Sequence, residues 1–285
     1  MPENQNASSV KSGGSLPGKI AQFESSGRNG LEHLAGSSLS VVKKIAVGIA
    51  LKGHTPPESY HDRTLMAYNM GCREVEDAYL HKSLRYEFLW LTAGEIFIPF
   101  AREQLANHAL IFNCDYLFMI DDDQLADPDL VFRLAAHNVD VVGALTFTRN
   151  APHNPVIYEK VEGFDPSCGK DYSFVRQVQS YPRNTLVECD AVGFGAVLIK
   201  TDLFRKMPAP WFMGSHGTGE DIHFCLEARK HGFRVYMDTS QKMGHLTKPL
   251  VVTEEYADKV QGMDEAERER LYGRFQKYPT FERVK

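Results

Sequence analysis

A short apolar run that stops abruptly at three carboxylates constrains this chain most. Residues 116–120, YLFMI, have the length and composition of a strand buried on both faces of a sheet. Asp121, Asp122 and Asp123 follow without a break, and Asp127 with Pro128 reads as an N-cap and first helical position. The triplet therefore belongs at the carboxyl end of a central strand, where open α/β sheets bind their ligands. Side chains two apart on extended backbone share a face, so Asp121 and Asp123 converge. Adjacent like charges repel, and a divalent cation relieves them. The simpler reading is a solvated acidic turn capping the next helix; the strand before it, which sets the carboxylates at a sheet edge, favours the metal.

The flanking sequence alternates in the manner of an α/β domain. Strands are expected at Val41–Leu51, 86–91, 116–120 and 139–147. Helices are expected at 58–70, with His61, Leu65 and Tyr68 on one face, at 98–109, with Ala101, Leu105 and Ala109 inward, and at 129–137. This order implies a mostly parallel sheet with helices on both faces. The second half reads as antiparallel additions at 155–161, 172–178 and 186–200. A helix at 219–231 closed by Gly232, a strand at 233–238 and a charged amphipathic helix at 254–277 follow, the last broken at Gly262 with Tyr256, Val260, Leu271 and Phe275 apolar. Residues 1–40, rich in Ser, Gly and Asn, are expected to be a flexible arm. The main domain then spans 41–250 and a helical extension 251–285.

At 43% hydrophobic residues the 285-residue chain has material for a substantial core. A net charge of −5 provides no general footprint for nucleic acid, leaving only a local basic patch open. Cys72, Cys114, Cys168, Cys189 and Cys225 are odd in number and widely spaced, which argues against a disulfide framework or zinc knuckle and for a reducing compartment. No apolar run approaches the length of a membrane span, and the first residues lack a signal core, so a soluble cytoplasmic protein is expected.

Several motifs then occur in a fixed order. Ala101-Arg102 lies on the helix before the acidic triplet, and VGALTFTR ends a strand after it. Asp190–Ile199, DAVGFGAVLI, is followed by Gly219–Cys225, GEDIHFC, and by Gly244-His245-Leu246. Together these cover roughly three quarters of the chain and resemble the GT-A-fold glycosyltransferases, in particular a bacterial and phage branch. Glu103 departs from that branch, which often has Asn there.

The resemblance implies transfer of a hexose or pentose from a nucleotide-diphosphate sugar, such as a UDP- or GDP-sugar, to an acceptor hydroxyl. Mn²⁺ or Mg²⁺ would be held by Asp123, Asp121 and His245 and would stabilise the diphosphate as it leaves. Asp121 would lie nearest the ribose, with Asp122 contributing to the donor site or turning away to serve structure. Asp221 is the implied base, with Glu220 beside it at a helix start whose dipole favours both charges. Arg102 and Arg149 would pair with the diphosphate. Gly193 and Gly195 would let the backbone approach donor or acceptor, and Thr55, in the loop after the first strand, would contact the base. Asp190, Trp211 and His216 are expected to meet the acceptor, a modified DNA base, a protein, a lipid or a small molecule; the missing membrane anchor weakens the lipid. The terminal helix offers a face for a second copy. A nucleotidyltransferase would also use a nucleotide sheet and a metal, but GHTPP after the first strand is not a phosphate loop. A non-catalytic sugar- or nucleotide-binding descendant is disfavoured by the acidic triplet, Asp221 and His245.

Overall fold

Alternate residues of the central strands carry apolar side chains to both faces, and this sets the layering. The computed structural model describes residues 40–51, 56–94, 97–214, 218–247 and 250–272. In it β1 (Val41–Leu51) lies between β2 (Leu84–Gly94) and β3 (Tyr116–Asp121), parallel to both. Leu117 and Met119 of β3 enter one core, and Tyr116, Phe118 and Ile120 enter the other. The first core is closed by α2 (Ile98–Ile111), through Ala101, Leu105, Ala106 and Ala109. The second is closed by α1 (Pro57–Tyr79), through Met66 and Met70, and by α3 (Leu130–Ala136). Each fully buried Leu, Phe or Met of these layers contributes about 1.5–3 kcal/mol by leaving water.

The seven-stranded sheet has the order β2-β1-β3-β10-β5-β11-β8. Its remaining members are β5 (Val141–Leu145), β8 (Leu186–Cys189), β10 (Ala196–Lys200) and β11 (Val235–Lys242). β10 runs antiparallel between β3 and β5, and β8 is antiparallel to β11 at the edge, so five of the seven strands share one direction. The expected mixed α/β architecture, a mostly parallel sheet with antiparallel additions, is present. Two small sheets complete it. β4 (Gln124–Leu125), β12 (Gly244–Thr247) and β13 (Leu250–Val252) form one, and β6 (Ile157–Asp165), β7 (Lys170–Gln177) and β9 (Ala191–Val192) the other. Further helices in the second half include α4 (Asp202–Lys206), α5 (Glu220–Lys230) and α6 (Glu254–Gln261).

Three expectations need correction. The stretch 186–200 is three strands in two sheets, because the chain leaves β8 at Asp190, pairs briefly with β6, and turns through Gly193–Gly195 before entering the centre. The helix after the acidic triplet starts later than Asp127-Pro128 suggests. β4 first draws the chain into a pairing with β12, so Asp129 becomes the N-cap and the Asp127 carbonyl accepts the Leu130 N–H at 3.1 Å. On α1 the face with Leu65 and Tyr68 points to solvent, 42% and 73% exposed, while Ser59, Arg63, Met66 and Met70 are buried. The break at Gly262 is present, separating α6 from α7 (Glu265–Tyr272). Ala257 and Val260 of α6 are fully buried, and Phe275 lies outside the described residues.

Candidate active site

The acidic turn between β3 and β4 is held from below by groups that are themselves buried. The Asp121 N–H donates to the Gly195 carbonyl at 2.9 Å, tying the strand end to β10's approach. Arg63 of α1 donates from Nη2 to the carbonyls of Asp121, at 3.2 Å, and Gln124, at 2.7 Å, so one guanidinium spans both ends of the turn. Burial lowers the Arg63 pKa to about 10 against the opposing charges of Asp62, Asp121 and Asp122, which leaves it charged at neutral pH. Gln124, 1% exposed, accepts from Thr146 Oγ1 at 2.8 Å and donates to Asp123 Oδ1 at 3.3 Å. Neither Arg63 nor Gln124 stands out in the sequence. A cation in register with Met66 and Met70 was the available signal.

His245 arrives opposite this turn because β12 pairs with β4, setting His245 across from Gln124. Its Nδ1 lies 2.6 Å from the Phe147 carbonyl, an acceptor, so Nδ1 carries the proton and Nε2 presents its lone pair. That Nε2 is 3.6 Å from Asp123 Oδ1. Burial, reinforced by Arg149, lowers the His245 pKa and keeps the ring neutral at pH 7. Arg149 closes the group: its Nε donates to His245 Nε2 at 3.1 Å, and its Nη2 is ion-paired with Asp123 Oδ2. A neutral imidazole beside a carboxylate suits Mn²⁺ or Mg²⁺ as two protein ligands. Among the described residues no cluster of three or more His, Cys, Asp or Glu side chains gathers as a ready metal cage.

Beside this turn, Arg102 joins the end of β3 to the start of α5. Its side chain is 5% exposed; Nη2 donates to Asp121 Oδ1 at 2.9 Å and Nη1 to Glu220 Oε1 at 2.6 Å, with the guanidinium 5.3 Å above the Phe194 ring. Arg102, expected at a diphosphate, and Glu220, expected at the catalytic centre, are ion-paired with each other, as a buried guanidinium requires carboxylates close by. Asp121 Oδ1 is turned to Arg102, while the Asp121 charge also acts on the His245 ring. Burial raises the Asp121 pKa, with Arg102 opposing. Asp221 adjoins the group. Burial raises its pKa too, against Arg102 and the N–H groups of Ile222 and Phe194. Asp122 is half-buried in the turn, its charge felt by Arg63.

The other expected residues are engaged by the protein itself or lie outside the described residues. Trp211, assigned to an acceptor surface, is 6% exposed, packs on Phe204 and donates its indole N–H to the Met207 carbonyl at 3.1 Å. It is core because Glu103 pins its backbone: Glu103 Oε2 accepts the N–H groups of Trp211, at 2.9 Å, and Phe212, at 3.1 Å. The residue that departs from the branch pattern thus has a structural task. Gly193 and Gly195 are close to protein rather than open to a ligand. A Cβ at Gly193 would stand 2.8 Å from Val156 Cβ, and one at Gly195 2.9 Å from Thr146 Cγ2. Asp190 accepts the Lys160 N–H at 2.7 Å and pairs with Arg229 Nε at 2.9 Å, on the wall of a cavity of about 460 Å³ shared with Tyr158 and Tyr181. Thr55 and His216 lie outside the described residues. No helix among the described residues is long and apolar enough to cross a membrane.

No protein-family model and no curated protein matches this chain. Solved structures do. A197 from STIV is 17% identical over 75% of this chain and 91% of that chain, with a TM-score of 0.47. GalNAc-T7, crystallised with UDP, GalNAc and Mn²⁺, is 12% identical over 72% of this chain, with a TM-score of 0.44; the match spans 43% of that structure. The catalytic domain of Drosophila β1,4-galactosyltransferase 7, in complex with xylobiose, is 16% identical over 72% of this chain and 71% of that chain, with a TM-score of 0.40. All three scores fall below 0.5, and the functional reading rests on the side chains of the site.

Proposed function

We propose that this protein is a metal-dependent glycosyltransferase of the GT-A type, moving a sugar from a nucleotide-diphosphate donor to an acceptor hydroxyl. The observation that carries the reading is the meeting of Asp123 and the neutral His245, 3.6 Å apart, at the carboxyl end of a central strand. Asp123 and His245 would hold Mn²⁺ or Mg²⁺, which when bound supplies Lewis-acid stabilisation of a diphosphate leaving group.

The chain's own groups account for the rest. Arg149, exposed beside that pair, offers a guanidinium to phosphate oxygens. Arg102 fixes Asp121 and Glu220 as a rigid wall beside the donor. Asp221 takes the acceptor's proton: burial raises its pKa, which makes it a stronger base than an exposed aspartate. The hydroxyl oxygen then bonds to the anomeric carbon as the carbon–oxygen bond to the diphosphate breaks.

Thermal melting with UDP, GDP, CMP and dTDP, each with and without Mn²⁺, tests this reading. A ligand at 100 times its dissociation constant adds about 2.7 kcal/mol, on the order of 5–10 °C for a domain of this size. A rise with one nucleotide diphosphate that needs Mn²⁺ is the expected result. A flat response to every pair would remove the donor site.

A further inference from the structure

The two groups suited to a divalent cation already hold a cation of the protein's own. Arg149 Nε donates to His245 Nε2 at 3.1 Å, and its Nη2 pairs with Asp123 Oδ2. Nδ1 of His245 is committed to the Phe147 carbonyl at 2.6 Å, so the lone pair that receives Arg149 is the one a metal would need. Asp123 is engaged on both oxygens, since Oδ1 faces the Gln124 amide at 3.3 Å. From these contacts we infer that the seat does not take a free metal ion: it takes a divalent cation as the chelate of a diphosphate, with Arg149 moving from Asp123 and His245 to the phosphate oxygens. This inference rests on the donor reading of the site given above.

The physical grounds are charge and reach. A guanidinium is a rigid, fixed-charge fork, so it must be displaced for a metal to enter. A free dication entering beside it meets a like charge at short range and must break two charged contacts. A diphosphate brings several negative charges and a fork-shaped target for the departing guanidinium. The Arg149 side chain is about half exposed (48%), so the swing breaks little packing. Metal and nucleotide binding are then positively coupled, and by linkage the factor is the same in both directions.

The full chain can be titrated with Mn²⁺, following the free ion by electron paramagnetic resonance, alone and with saturating UDP or GDP. The wild type is expected to retain Mn²⁺ poorly alone and on the order of tenfold or more tighter with the matching nucleotide. Arg149→Met should reverse the pattern, binding Mn²⁺ alone on the order of tenfold tighter, as expected for the loss of charge-assisted contacts, while the gain from nucleotide shrinks. Arg149→Lys should restore weak binding of the free ion. If Arg149→Met leaves the affinity for Mn²⁺ alone unchanged or weaker while the wild type still binds Mn²⁺ with nucleotide, the exchange is refuted and the donor reading stands. If neither protein retains Mn²⁺ with either nucleotide, both fall.

Discussion

Replacing Arg102 with methionine is the most demanding test of the site as built, because this side chain is buried yet tied to two carboxylates. Methionine keeps much of the length and packing against Phe194 but leaves Asp121 and Glu220 without their counter-ion. Breaking a buried pair on one side costs about 3–5 kcal/mol, which lowers the melting temperature by about 6–20 °C at roughly 2–4 °C per kcal/mol. The loss should depend on pH with a definite sign. Asp121 and Asp221 already have raised pKa values in the folded protein, so the folded state holds their protons more tightly than the unfolded one. Their contribution is therefore fullest below the ordinary carboxylate range and declines as pH rises through their folded values. Arg102 lowers both, so its removal raises both further. The deficit of Arg102→Met should be largest at pH 7–8 and shrink towards pH 4. Differential scanning calorimetry of both proteins across that range measures it. A variant that melts within about 2 °C of the wild type at pH 8, or with the same deficit at every pH, would refute the description of Arg102 as the buried counter-charge.

Glu103→Ala should cost about 1–3 kcal/mol, since the N–H groups of Trp211 and Phe212 lose their acceptor. Chemical denaturation would show the loss, and an unchanged nucleotide-dependent melting shift would confirm that this residue serves the fold. Gly195→Ala should cost about 1–3 kcal/mol by overpacking against Thr146 and Gln124. Because Gln124 holds Asp123, the same variant should reduce the Mn²⁺-dependent melting rise, and a rise of wild-type size would show that the contact does not reach the turn. Asp221→Asn should bind nucleotide and Mn²⁺ as the wild type does and lose transfer. Full transfer by that variant, followed by donor-sugar release, would remove Asp221 as the base.

Much of the architecture could be read directly. Unbroken apolar residues at 116–120 must be covered on both sides, and they form an interior strand, third of seven, in the largest sheet. The alternation before them placed β1, β2, α1 and α2 in order, with ends that differ by several residues, most of all at the C-terminus of α1. Harder to read were the short pairings. Two residues of β4 and two of β9 carry no periodic signal, yet β4 moves the N-cap from Asp127 to Asp129 and β9 divides 186–200 between sheets. The inner face of α1 was also hidden, because a periodicity that weighs Leu65 and Tyr68 above an arginine cannot reveal that Arg63 shares the buried stripe of Met66 and Met70.

The order of residues along the chain was enough to put an acidic triplet at a strand end and to single out His245, because strand length, apolar burial and adjacent like charges act over a few neighbouring positions. Which charge answers which could not be settled that way. Arg102 meets Asp121 and Glu220 through the packing of α2 against the sheet and the docking of α5, and Arg149 reaches His245 through the pairing of β12 with β4. Trp211 became core and Glu103 its anchor for the same reason: a carboxylate and two N–H groups over a hundred positions apart were brought within 3.1 Å only when the layers closed. Coulomb and hydrogen-bond energies fall steeply with distance and depend on burial, and both quantities are properties of the folded chain.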